Sequence, residues 1–169
     1  MDYRFGDATR PFHAASVGKL VTAALVMQLC EADAVRPDTP VAAVLPAAEL
    51  DGLFLPGDQV TLEHLLTHTS GVADYFDGKV SSGVPVSQGM VADPDRLWTP
   101  DDLLAVSRER QRPVGRPGQR FHYSDTGYVL LGRVLEVVTG DPFHDLVHRR
   151  VLTPLDDQFQ GVSVVVGNQ

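Results

Sequence analysis

The chain holds one cysteine, Cys30, among 169 residues. It can close no internal disulfide and cannot supply a cysteine-rich metal site. Positive charge is scarce as well: 14 Lys and Arg stand against 22 Asp and Glu, a formal charge of −8. Such a field repels nucleic acid and anionic lipid, so neither is an expected partner. Long apolar runs are missing. The longest, Leu20 to Cys30, is interrupted by Thr22 and Gln28 and is too short to span a bilayer. The opening Met1-Asp2-Tyr3-Arg4-Phe5-Gly6-Asp7 lacks a basic stretch followed by an apolar one, so no signal peptide is expected and localisation is left open. Internal repeats and low-complexity segments are absent. What is present is ordinary globular composition, 43% apolar and 21% charged. A chain of this length makes one domain and buries roughly 70% of its unfolded surface.

The pattern along the chain is mostly helical. Residues 1–12 hold at most one strand, ending near Pro11. From Ala15 to Ala32 the chain is helical by composition and apolar on nearly every side (Val17, Leu20, Val21, Leu25, Val26, Met27 and Leu29), which predicts a buried helix. Prolines 37, 40, 46 and 56 then break the chain into turns around a short helix or two. Thr61 can cap a helix through Leu62, Leu65 and Leu66. Residues 71–97 are rich in Gly, Ser, Asp and Pro and read as one long loop, the kind that is usually functional or mobile. Thr99-Pro100-Asp101-Asp102 is a strong helix start, and that helix ends before Pro113. Ser124 or Asp125 opens another, closed by Gly140. Asp141-Pro142 starts one more, ending before Pro154, and Gly161–Val166 reads as a strand. The expectation is five to seven helices with one or two strands.

Two patterns carry chemistry. In Ser16-Val17-Gly18-Lys19, a serine and a lysine three apart share one helix face. A hydroxyl needs a base to become a nucleophile, and burial in an apolar helix is expected to lower the Lys19 pKa. The Ser16 N–H, near a helix N-terminus, can also face a developing oxyanion. The competing reading is a lysine snorkelling from a helix end. In Tyr123-Ser124-Asp125, a tyrosine ahead of a capped helix can act as general base if an ammonium stabilises its phenolate. The competing reading makes Ser124 or Asp125 a cap and Tyr123 a half-buried aromatic. His64 and His68, and again His144 and His148, are spaced four apart as zinc-chelating pairs can be. Neither pair carries the accompanying His-Glu-x-x-His pattern, so no metal site and no cofactor are expected. Tyr75 and Trp98 flank the long loop and can line a substrate cleft or simply pack.

Taken together, Phe12-His13-Ala14-Ala15-Ser16-Val17-Gly18-Lys19, then Leu65-Leu66-Thr67-His68-Thr69-Ser70-Gly71-Val72, then Pro117 to Gly132 resemble three successive landmarks of the serine β-lactamase-like superfamily. The resemblance lies on the branch of class C β-lactamases, D-alanyl-D-alanine carboxypeptidases and related esterases, and runs from about residue 10 to 157. It implies an α/β fold, a helical subdomain plus an antiparallel sheet, of which this chain is mostly the helical part. It also implies Ser16 as the acylated nucleophile, Lys19 as its activator, Tyr123 as the base that relays the proton, and a small-molecule or peptide-like substrate. Tyr75 and Trp98 would belong to the pocket wall.

Two departures qualify it. The family's usual Tyr-x-Asn is Tyr-Ser-Asp here, so Asp125 offers only acceptors when ionised. It can pair with Lys19 or receive a substrate N–H or ammonium. No Lys-Thr-Gly or His-x-Gly strand, the family's second oxyanion donor, follows Asp125. Residues 1–169 are therefore expected to form a single partial domain, lacking most of the N- and C-terminal sheet strands. Exposed apolar surface and self-association through an exposed sheet edge would follow.

Overall fold

The structure, a computed structural model, describes residues 14–156. Eight α-helices follow in order: α1 (Gly18–Glu31), α2 (Ala47–Leu50), α3 (Leu62–Leu66), α4 (Val86–Ala92), α5 (Pro100–Arg110), α6 (Asp125–Thr139), α7 (Phe143–Val147) and α8 (Thr153–Asp156). Short 3₁₀ turns at Ala15–Val17 and Val41–Ala43 and a π turn at His148–Leu152 link them. Among the described residues there is no strand, only an isolated bridge between Pro40 and Thr61. The strands expected in residues 1–12 and 161–166, and the sheet edge that went with them, lie outside the described residues.

α6 is the central element. Its buried face (Leu130, Leu131, Val134 and Leu135) packs with Leu25, Val26 and Leu29 of α1 and Leu62 and Leu65 of α3 into one core. Gly140, at φ +75°, turns its N–H back onto the Glu136 carbonyl and ends the helix. Two of the helix starts read from the sequence are built as expected. Thr99 Oγ1 accepts the Asp102 N–H while Asp102 Oδ2 accepts the Thr99 N–H, and Thr61 and His64 make the same reciprocal cap on α3.

Three expectations need correcting. The helix count is higher, because the turn-rich segments still fold into four- to seven-residue helices. Residues 71–97 are not one loop: Val86 of α4 is buried against Leu103 and Val106 of α5 and organises a second, smaller cluster. The last helix does not end before Pro154. It shifts register through the π turn and restarts with Pro154 in the first turn of α8, where a missing N–H costs nothing.

The largest correction concerns α1. Among the described residues it is not buried all round. Val17, Leu20 and Met27 are 63%, 71% and 45% exposed, and Ala24 is exposed with them. Positions 17, 20, 24 and 27 form one stripe, so the side facing away from α6 is apolar and uncovered among the described residues.

One crossing of backbones sets up the site. The segment leading into α6 lies along residues 68–71: the Val114 N–H donates to the Gly71 carbonyl, Gly118 to Thr69, and His122 to His68. At Gly71, φ is +80° and an added Cβ would lie 2.0 Å from the Gly115 carbonyl oxygen. Only glycine fits there.

Candidate active site

Ser16 lies in the 3₁₀ turn that leads into α1, exposed, with Lys19 one turn further on. The residue before it, Ala15, has φ +46°, a strained conformation for a residue with a Cβ. Across from this turn, the end of the 114–123 segment delivers Tyr123, whose hydroxyl donates to Ser16 Oγ at 2.8 Å. Lys19 Nζ is 3.4 Å from the same oxygen. The ammonium forms an ion pair with Asp125 Oδ1 at the first residue of α6, and lies 5.0 Å and 5.6 Å from the ring centroids of Tyr123 and Tyr128. Ser16 and Lys19 are thus brought into one group with Tyr123 and Asp125, which lie more than a hundred positions further on.

The expectation of a lowered Lys19 pKa is overturned. Burial does pull it down, but the hydrogen bonds and charges of Asp125 and Tyr123 outweigh that, and the pKa is raised. Lys19 is an ammonium at neutral pH. In that form it can donate a hydrogen bond and supply positive charge.

Behind this group stands a bracing layer that the sequence hinted at only in part. The His68 ring lies 4.4 Å from the Tyr123 ring at 30° and 5.1 Å from that of Tyr128, with Phe121 edge-on at 5.8 Å. Its Nδ1 accepts the Ser124 N–H at 3.1 Å. Burial, then the nearby Lys19 charge, depress the His68 pKa, so the ring is neutral and Nδ1 is free to accept. His68 had its place in the second landmark; its contact with Tyr123 had no sequence signal. Asp74 was missed altogether. It is buried, and its Oδ1 accepts the Asp125 N–H at 2.9 Å while Oδ2 accepts that of Asp77. Ser124 occupies the N-cap position of α6, yet its hydroxyl donates to the Ala73 carbonyl, so the capping carboxylate comes from a loop fifty residues upstream. Deeper still, Thr126, Ser107 and Gln111 form a closed buried network that reaches the Asp74 carbonyl and the Tyr75 N–H.

Tyr75 borders the group. Burial, then the charges of Asp125 and Asp74, push its hydroxyl far above the usual tyrosine pKa, so it stays protonated. Trp98 stands apart: Arg96 stacks on it at 3.7 Å and it packs in the cluster around Val86, with no contact to the Ser16 group. Of the histidine pairs, His64 is spent on the α3 cap, while the His144 and His148 rings meet at a tilt of 54° with centroids 4.6 Å apart. Among the described residues no three His, Cys, Asp or Glu side chains converge as a metal site would need. No described helix is long and apolar enough to cross a membrane.

A serine, a lysine one helical turn on and a tyrosine from the next layer, carried on a packed set of helices, define the class of serine β-lactamase-like proteins. The Beta-lactamase family model matches residues 7–159, and the chain belongs to that family. Among curated relatives, Penicillin-binding protein 4 of Amycolatopsis lactamdurans is 37% identical over 147 residues, covering 85% of this chain and 34% of the relative. Esterase EstB of Burkholderia gladioli is 33% identical over 150 residues, covering 85% of this chain and 36% of its own. The solved D-stereospecific amidohydrolase from Streptomyces sp. superposes with a TM-score of 0.75 at 32% identity, over 86% of this chain and 42% of that one. The fold is therefore the helical part of the β-lactamase and penicillin-binding-protein architecture, as expected. The chain spans about a third of the length of the curated relatives it matches.

Proposed function

We propose that this chain carries the nucleophilic half of a serine hydrolase that cleaves an ester or a peptide-like amide through a Ser16 acyl-enzyme. The 2.8 Å hydrogen bond between Tyr123 and Ser16, with the Lys19 ammonium beside both, carries the reading. In the proposed step the Tyr123 hydroxyl first gives up its own proton to solvent, and the phenolate, beside the Lys19 ammonium, takes the Ser16 Oγ proton as Oγ attacks the substrate carbonyl. Lys19, held protonated by Asp125, offsets the negative charge that passes through the tyrosine and the serine oxygen. The Ser16 N–H, in the 3₁₀ turn that leads into α1, is the donor proposed to meet the developing oxyanion. As the carbonyl re-forms, the amine or alcohol departs with the proton returned by Tyr123. Water then repeats the sequence on the acyl-enzyme. Asp125 in place of the family's amide favours substrates that present a donor, an N–H or an ammonium, over β-lactams. Tyr75 is a wall of the cleft on this reading, and Trp98 is at most a distal one.

A second reading rests on one observation: no Lys-Thr-Gly or His-x-Gly strand follows Asp125 within these 169 residues. A partial domain short of one oxyanion donor typically loses 10²–10³ in rate. The two readings separate on the intact mass of the purified chain after exposure to a fluorophosphonate. The nucleophilic reading expects one covalent adduct that disappears in Ser16→Ala. A folded chain that stays unlabelled would leave the non-catalytic reading standing alone.

A further inference from the structure

Residue 68 holds the chain on both sides of Tyr123. Its carbonyl accepts the His122 N–H at 2.7 Å, and its ring Nδ1 accepts the Ser124 N–H at 3.1 Å. Between these two ties the imidazole lies against the Tyr123 ring, with centroids 4.4 Å apart and the planes inclined by 30°. The backbone suits this double grip: His68 has φ +56°, in the left-handed region that asparagine and histidine enter more readily than most residues with a side chain. The two ties differ in kind. The carbonyl accepts at any pH, whereas Nδ1 accepts only when it carries no proton, which puts the proton of the neutral ring on Nε2. The charged and titratable groups around the ring are Lys19 on α1, Asp74 on the loop that follows α3, Tyr123 ahead of α6, and Asp125 and Tyr128 on α6. Burial and then Lys19 oppose a charge on the ring, Asp125 and Asp74 favour one, and the opposing effects prevail.

We propose that His68 is the positioning residue for Tyr123, and that its Nδ1 acceptor, rather than the bulk of its ring, keeps the phenol hydroxyl on Ser16. The inference rests on the reading of Tyr123 as the base for Ser16. The Ser124 N–H lies in the peptide plane built on the Tyr123 carbonyl, so its bond to Nδ1 sets the ψ angle of Tyr123 and with it the direction of the phenol. The Ser124 hydroxyl and the Asp125 N–H are held elsewhere, by Ala73 and Asp74, and fix the next peptide rather than this one. A hydroxyl 2.8 Å from Oγ has little room to move before the bond is lost, and a misplacement of about 1 Å can cost about 100-fold in rate. A proton on Nδ1 turns the acceptor into a donor facing the Ser124 N–H. That tie then opens while the ring and the His122 tie stay in place.

Two variants and one titration test it. His68→Asn keeps an acceptor where Nδ1 stands and tolerates φ +56°, while losing the ring and its proton; His68→Phe keeps a ring and loses the acceptor. A packing role alone makes Phe the milder change, and the proposal expects the reverse. The rate of Ser16 labelling by a fluorophosphonate is expected to stay within about threefold of wild type in His68→Asn and to drop about 10- to 100-fold in His68→Phe. The ratio of wild-type to His68→Asn rates is expected to be level above about pH 6.5 and to fall as the ring takes up its proton below it, because only the wild type can lose its acceptor that way. That ratio holds as a test even where His68→Phe fails to fold. The nuclear Overhauser contact between the Tyr123 ring and the Ser16 β-protons needs no reaction. It should persist in His68→Asn and fade in His68→Phe and in acidified wild type. A chain that never labels but keeps this pattern of contacts would remove the Ser16 reading and leave the positioning role standing. Faster labelling in His68→Phe than in His68→Asn would overturn that role. So would a rate ratio that stays level while NMR shows the His68 ring titrating, or a Tyr123–Ser16 contact unchanged in every case.

Discussion

Helices α1 and α6 each carry half of the Ser16 group, and they are finished to different degrees. α6 has one apolar face, wholly covered, and a polar one; its start is capped by Asp74 and its end by Gly140. α1 has two apolar faces, and among the described residues only one is covered. Its N-terminal turn has no side-chain cap, and Ser16 reaches Tyr123 from a strained Ala15. The Tyr123 side, proposed to move protons, is therefore braced from behind, while the Ser16 side, proposed to attack, meets it through the Tyr123 hydrogen bond. Ser16, placed this way, depends on the tyrosine side for its position.

The contrast is broken most forcefully in the core. Leu131→Ala in α6, fully buried, is expected to cost about 2–5 kcal/mol in urea denaturation, whereas Leu20→Ala on the bare face of α1 stays within about 0.5 kcal/mol. An equal loss at both positions would show that the α1 face is covered in solution. Next comes the brace. Asp74→Ala leaves the Asp125 and Asp77 N–H groups without their acceptor and is expected to cost about 2 kcal/mol, measured the same way.

The ion pair gives a smaller, pH-dependent effect. Because the folded pKa of Lys19 is raised, its contribution is complete below about 10.4, the ordinary lysine value, and is lost as pH rises through the folded value. Thermal melts from pH 9 to 11 should fall more steeply for the wild type than for Asp125→Asn, in which NMR titration should find a lower Lys19 pKa. The smallest effect belongs to His68. Its folded pKa is depressed, so below about 6.5 the unfolded chain takes up a proton that the folded ring resists, and stability declines toward the folded pKa. His68→Gln should flatten the melting temperature between pH 7.5 and 5.5 relative to wild type.

What the sequence revealed, and what it hid, follows the range of the interactions. Helix starts written in four consecutive letters, such as Thr99-Pro100-Asp101-Asp102, are legible because donor and acceptor are neighbours. The grouping of Ser16, Lys19, Tyr123 and Asp125 followed from the family landmarks, and the Lys19–Asp125 pair from simple charge. The direction of the Lys19 shift was misjudged because local apolarity was weighed without the carboxylate that the fold brings in from position 125. Asp74 could not be found by spacing, since it caps a helix that begins fifty-one positions later. The bare face of α1 was hidden for a related reason. Composition measures how apolar a helix is, and says nothing of which neighbours are present to cover it.

The crossing of Gly71 over Gly115 bears on how such a protein can change. No side chain fits between the two backbones, so position 71 offers no step for selection to take, and the contact is a fixed pivot. Novelty has to enter on either side of it: along the arm from Tyr75 to Trp98, and along the short run that delivers Tyr123. Tyr75 at the head of the first stretch and Tyr123 at the end of the second border the Ser16 group. Ligand preference can therefore drift in two independent directions while the reactive group keeps its alignment.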